Sequence, residues 1–191
     1  MKQPPVDLAQ RLVGASDQIL GAGGDVRLED VAATVGVART TLYYYFSGRD
    51  DLVSFLLSEH VRAGAEAIET ARSGDGTPSQ RLRRVLTVVV GFLGEHRGLC
   101  SGLLSSMGSA GRMDEVLEAN ERHVATPLRQ LIIEGIDAGE LRPVDPTDVT
   151  NALLGASLMT VLGRSRREVE LTRGEADEIA GVLLGGVLAR S

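Results

Sequence analysis

Residues 39–49 read RTTLYYYFSGR, three consecutive tyrosines with an arginine and two threonines before them and a second arginine after. A buried phenol needs a hydrogen-bond partner, and a run of three on a short helix cannot turn every ring inward. Exposed, Tyr43, Tyr44 and Tyr45 have the chemistry of a groove reader. Their hydroxyls donate to phosphate oxygens and their rings lie along sugars or thymine methyl groups. Arg39 carries the planar fork that matches a guanine edge, and Thr40 and Thr41 add short hydroxyls beside it. Arg27 and Arg49, at the starts of the flanking segments, bring charge to phosphates.

Those side chains need short helices to hold them. Leu28, Val31, Ala32 and Val35 fall at i, i+3, i+4 and i+7, the apolar stripe of a helix, and Gly36 supplies the left-handed residue that ends it. Leu42 and Phe46, four residues apart, share one face of a second helix over residues 38–46, with Val37 closing a small core from the turn. Thr40, Tyr43 and Tyr44 then point away from that core. Ser47, Gly48, Arg49 and Asp50 have capping-box spacing for a further helix, with Arg49 in its first turn. Ahead of the pair, Leu8, Leu12, Ala15 and Ile19 predict a bracing helix over residues 7–22.

This stretch resembles the DNA-binding region of the TetR family of transcriptional repressors. The resemblance is carried by Val31-Ala32, Gly36-Val37, Thr41-Leu42-Tyr43, Phe46, Arg49 and Leu52, preceded by Ala15 and Gly23, in a register without gaps. Ala38, Thr40, Tyr45, Arg49 and Arg27 stand where the family favours serine, glycine, histidine, lysine and threonine. The resemblance implies a homodimeric, ligand-responsive repressor of double-stranded operator DNA, released by a small-molecule effector. It also implies an apolar cavity enclosed by the fifth to eighth helices, with the fourth helix transmitting its state to the readers. The residues placed around that cavity are Val89, Phe92, His96, Cys100, Leu103, Met107, His123, Leu131 and Met159.

The remainder of the chain is compatible with this. The expected fold is all-α with about nine helices: an N-terminal three-helix helix-turn-helix DNA-binding domain over residues 1–50, and a C-terminal effector-binding and dimerisation bundle over 51–191. Helix starts are announced by Thr77-Pro78-Ser79-Gln80, Asp145-Pro146-Thr147-Asp148 and Thr172-Arg173-Gly174-Glu175. Pro127 interrupts a long helical pattern over residues 113–138 and predicts a kink. Small residues beside apolar stripes near the C-terminus suit a four-helix interface between two copies, placed at Leu154, Leu158, Val161, Gly181, Leu184, Gly185 and Leu188.

Composition bounds the alternatives. The single cysteine excludes an internal disulfide, and the i, i+4 pair His96 and Cys100 lacks a third ligand, so neither metal nor cofactor is expected. No apolar run of membrane-spanning length and no signal pattern occurs, which points to the cytoplasm and away from a membrane. The net charge of −6 runs against nucleic-acid binding. Even within residues 1–52, Lys2, Arg11, Arg27, Arg39 and Arg49 are outnumbered by Asp7, Asp17, Asp25, Glu29, Asp30, Asp50 and Asp51. Specific contacts must therefore outweigh diffuse attraction, and the effector is expected to be hydrophobic. No phosphate loop or nucleophile motif supports an enzyme. An all-α adaptor that binds protein, or an enzyme, are the competing readings.

Overall fold

The helix starts announced by Thr77, Asp145 and Thr172 are each met by a side-chain cap. The structure, a computed structural model, describes residues 2–21, 26–106 and 113–185. Its helices are α1 (Val6–Gly14), α2 (Ser16–Gly21), α3 (Leu28–Val35), α4 (Arg39–Tyr45), α5 (Arg49–Ser73), α6 (Pro78–Glu95), α7 (Arg97–Ser106), α8 (Met113–Asn120), α9 (Thr126–Asp137), α10 (Pro146–Ser165) and α11 (Arg173–Leu184). A π-helical turn, Glu121–Ala125, joins α8 to α9. Among the described residues, taking α1 with α2 and α8 with α9 leaves nine helices, in keeping with the about nine expected, and no strand is present. No described helix is long and apolar enough to cross a membrane.

The caps are chemical. Thr77 N–H donates to Gln80 Oε1 at 3.1 Å ahead of α6. Asp145 Oδ1 accepts from Thr147 and Asp148 N–H, both at 2.9 Å, ahead of α10. Thr172 and Glu175 form a complete capping box ahead of α11. Each satisfies backbone donors that the first turn leaves without partners. At α5 the cap differs from the expected one. Asp51, not Asp50, accepts from Ser47, through both its N–H and its hydroxyl, because α5 starts at Arg49 and puts Asp51 at the third helical position. Asp50 pairs instead with Arg49 Nη1 at 3.2 Å.

The predicted kink at Pro127 takes a specific form. Proline has no N–H to give the carbonyl four residues back. The backbone widens in the turn before it, where Thr126 N–H reaches the carbonyl of Glu121, five residues back.

The chain divides into two compact units: Met1–Val61 with His96–Glu118, and Arg62–Glu95 with Ala119–Ser191. These packing units cut the chain differently from the division expected at residue 50, since α7 belongs with the N-terminal helices. In the first unit α7 packs along α2. Gly98 permits that approach, because a Cβ there would sit 2.6 Å from the Asp17 carbonyl oxygen. In the second unit α6 packs against α9, α10 and α11, burying Leu82, Val85, Leu86, Val89 and Val90. Phe92, on the same helix, lies beside Gly64 of α5.

Candidate nucleic-acid interface

The helix pair α3 and α4 is joined by a turn that glycine makes possible. Gly36 has φ of 69°, and the turn closes with Val37 N–H donating to Ala32 O at 2.9 Å and Gly36 N–H to Ala33 O at 3.3 Å. This is the Schellman arrangement, in which the left-handed residue satisfies the last carbonyls of the helix. Arg11 Nη1 adds a hydrogen bond to Val35 O at 3.1 Å, tying α1 to the same helix end. On the inward side Leu28, Val31, Ala32, Val35, Leu42 and Phe46 are buried, the last two completely, and Phe46 meets Phe55 with ring centroids 5.4 Å apart.

The burial of Leu42 and Phe46 decides where the rest of α4 points. Arg39 and Thr40 are exposed, Tyr43 is 50% exposed and Tyr44 59%, while Thr41 and Tyr45 are half-buried. Tyr44 and Tyr45 stack edge to face at 4.9 Å, and Lys2 Nζ lies 3.8 Å from the centre of the Tyr44 ring. The chain's only lysine thus sits beside the tyrosine helix. Arg27 is exposed just before α3, and Arg49 is half-buried at the start of α5. Seven of these eight side chains, Arg27 being the exception, come from α4 and the first residue of α5.

One contact was illegible in the sequence. Tyr43 Oη donates to Glu29 Oε1 at 2.8 Å, across fourteen residues and the turn between the helices. That hydrogen bond holds the Glu29 carboxyl below the usual range, with further help from the charges of Arg39 and Arg27. The same contact raises the Tyr43 phenol above its ordinary value, so the ring stays protonated.

The buried two-helix core, the glycine turn and the exposed tyrosine and arginine face all lie in a stretch whose sequence matches a known family. Residues 20–54 match bacterial regulatory proteins of the tetR family, and residues 75–161 match the tetracyclin repressor-like C-terminal domain. The chain belongs to the tetR family. It is a DNA-binding transcriptional regulator.

Solved structures agree on the fold. The fatty acid degradation regulator FadR of Bacillus halodurans is similar at 18% identity with a TM-score of 0.81, covering 97% of this chain and 98% of that one. The transcriptional regulator FadR of Bacillus subtilis, solved in complex with stearoyl-CoA, is similar at 18% identity and a TM-score of 0.78, covering 93% and 98%. A ketosteroid transcriptional regulator of Mycobacterium tuberculosis is similar at 17% identity and a TM-score of 0.71, covering 99% and 98%. No curated protein matches the chain significantly.

The residues expected around an effector cavity of this tetR-family chain fall in both units. His96, Cys100 and Leu103 belong to the first. There Cys100 is fully buried, and burial pushes its thiol up to about 11, which makes it a poor nucleophile or ligand. His96 Nδ1 lies 4.0 Å from Asp17 Oδ2, and its ring is 4.6 Å from that of His60. Among the described residues no cluster of three or more groups suited to a metal occurs. Val89, Phe92, His123, Leu131 and Met159 belong to the second unit. Val89 and Leu131 are buried there, Phe92 and His123 half-buried, and Met159 is 51% exposed, on the outer side of α10. Met107 lies outside the described residues.

The expected interface residues are also sorted by burial. Val161 and Leu184 are buried within the single chain. Gly181 faces α6, where a Cβ would stand 3.3 Å from Arg83 Nη2. Leu154 and Leu158 are half-buried and Gly185 is exposed, while Leu188 lies outside the described residues. The inner face of α10 carries Thr150 and Ser157, whose hydroxyls bond back to the Pro146 and Leu153 carbonyls at 2.7 Å. That back-bonding lets polar residues pack inward beside Leu153 and Val161, while Leu154 and Leu158 stay on the flank. The expected residues Leu154 and Leu158 each stand one position beyond the buried Leu153 and Ser157, and apolar residues on both sides of α10 hide that offset in the sequence.

Proposed function

We propose that this chain is a homodimeric repressor that binds a two-fold operator through the exposed side of α4 and leaves it when a largely hydrophobic small molecule binds the C-terminal bundle. The observation that carries the reading is the division of α4 itself. Leu42 and Phe46 have no exposure while Tyr43 and Tyr44 keep half of theirs, so the tyrosines are presented by a fixed helix instead of forming its core. Arg27, Arg39, Thr40, Thr41, Tyr45 and Arg49 flank them as phosphate and base-edge contacts.

Dimerisation is supported by apolar surface left on α10 and α11. Met159 is 51% and Val182 78% exposed, with exposed Ala152, Gly155 and Gly185 around them and Leu154 and Leu158 on the flank. A helix-turn-helix reads two half-sites through the two-fold axis of its dimer, which gives such a face a purpose.

The effector site is proposed inside the second unit, with Val89, Phe92 and Leu131 as apolar walls and His123, in the π-helical turn, as a polar group. Among relatives of this fold, the Bacillus subtilis regulator binds stearoyl-CoA, which favours a long-chain acyl group as the first class to try. Helix α5 contributes Arg49–Val61 to the first unit and Arg62–Ser73 to the second, so one continuous helix carries a change in the bundle to the reader. The protein acts in the cytoplasm, where its DNA is.

A selection of genomic fragments by the full-length protein tests this. One or a few enriched fragments sharing an inverted repeat are expected, with release by a long-chain acyl-CoA and none by coenzyme A alone. Enrichment of no sequence would overturn the repressor reading, and retention with every apolar ligand would overturn the effector.

A further inference from the structure

A group suited to a phosphate already holds a carboxylate, in a field to which two arginines contribute. The single proton of the Tyr43 hydroxyl goes to Glu29 Oε1 at 2.8 Å, and the charges of Arg39 and Arg27 act on the same carboxylate. A phenol has one proton to donate, so Tyr43 cannot give it to Glu29 and to a DNA phosphate together. Glu29, half-buried in the first turn of α3, touches the exposed Tyr43 of α4, so a phosphate approaching Tyr43 also approaches a negative charge. Both effects act in one direction, against contact with the DNA backbone.

We propose that Glu29 is a phosphate surrogate built into the reader: in the unbound protein its carboxylate takes the place of a DNA phosphate oxygen at the Tyr43 hydroxyl. DNA binding requires its displacement, and Glu29 thereby sets a low standing affinity for DNA of any sequence. The inference rests on α4 being the reader. It differs from a simple bracing role in sign, because a brace that is removed weakens binding and a surrogate that is removed strengthens it.

The test uses the full chain, a mixed-sequence duplex, and the duplex that the wild-type protein enriches most from a random pool. Glu29→Gln keeps the size of the side chain and loses its charge, and Glu29→Ala loses both. Each is expected to bind the mixed-sequence duplex about two- to fivefold more tightly, in keeping with an exposed pair. The salt dependence should steepen by about one unit as a group is released to the phosphates. The gain should shrink in a Tyr43→Phe background, where the hydroxyl that Glu29 occupies is gone. Asp30→Asn removes the same charge from the next residue of α3 without touching Tyr43, and is expected to give a smaller gain. Equal gains from Glu29→Gln and Asp30→Asn, or weaker binding by Glu29→Gln and Glu29→Ala, overturn the proposal. Arg39→Ala separates the two levels. If it weakens binding while Glu29→Gln fails to strengthen it, only the surrogate fails. If Arg39→Ala changes neither duplex, the reader assignment itself is wrong.

Discussion

His60 Nε2 and Ser16 Oγ share a hydrogen bond of 2.7 Å, which fastens α5 to α2 through a histidine that is 2% exposed. Ser16 is buried as well, and the neighbouring ionisable groups are Asp17, from α2, and His96, just before α7. Burial first, and then the nearby His96, lowers His60 to about 4, with Asp17 opposing.

The pH dependence of stability follows from that shift. Folded protein keeps His60 neutral where the unfolded chain, titrating near 6.5, takes up a proton. The unfolded state therefore binds more protons between about pH 4 and 6.5, so this contribution is whole above that window and is lost as the pH falls through it. Thermal melting across the window should have a positive slope that flattens in His60→Gln. His60→Leu should flatten the slope too and melt lower at neutral pH, because Ser16 then loses its buried partner. An unchanged slope would mean that His60 does not titrate with unfolding.

The reader side chains should separate by kind of contact. Arg39→Ala is expected to cost roughly 1–3 kcal/mol on the preferred operator and to relax sequence preference there. Arg49→Ala should weaken all sequences alike and lower the salt slope by about one unit. Tyr43→Ala should abolish specific binding with little change in melting temperature, since half of that residue is exposed. Titration of a labelled duplex at several salt concentrations reads all three.

Assembly and folding can be told apart on α10 and α11. Met159→Glu and Val182→Glu alter residues exposed in the single chain, and should give monomers that remain helical and lose operator binding. Leu184→Glu, at a position 3% exposed, buries a charge without a partner and should cost several kcal/mol of stability before association is considered. Light scattering and thermal melting distinguish the two outcomes. Dimers persisting in both exposed variants would move the interface elsewhere.

The contact between α2 and α7 offers a steric test. Gly98→Ala sets a Cβ 2.6 Å from the Asp17 carbonyl oxygen and 2.7 Å from its Cα. Both are backbone atoms that cannot swing aside, so the helices must part, at a cost of about 1–3 kcal/mol. The separation also strains the bond from Gly98 N–H to Asp17 Oδ1, which is 3.0 Å long. Urea denaturation of this variant should show a lower midpoint. Gly14→Ala, where no atom lies within 4 Å, is the control for folding.

Local chemistry made much of this protein legible in its sequence. The caps at Thr77, Asp145 and Thr172, the left-handed Gly36 and the stripes of α3 and α4 depend on residues within a turn or two of one another, so spacing alone fixes them. The outward direction of Tyr43 and Tyr44 followed in the same way from Leu42 and Phe46. Tertiary packing decided what no spacing encodes. Glu29 meets Tyr43 only once the turn at Gly36 has set the crossing of two helices. Ser16 meets His60 across forty-four residues. α7, near the middle of the chain, joins the N-terminal helices because Gly98 and Gly102 let it approach α2 and Leu20. The orientation of α10 was decided by its neighbours too, since apolar residues lie on both of its sides and only the packing of α6, α9 and α11 selects which side turns inward.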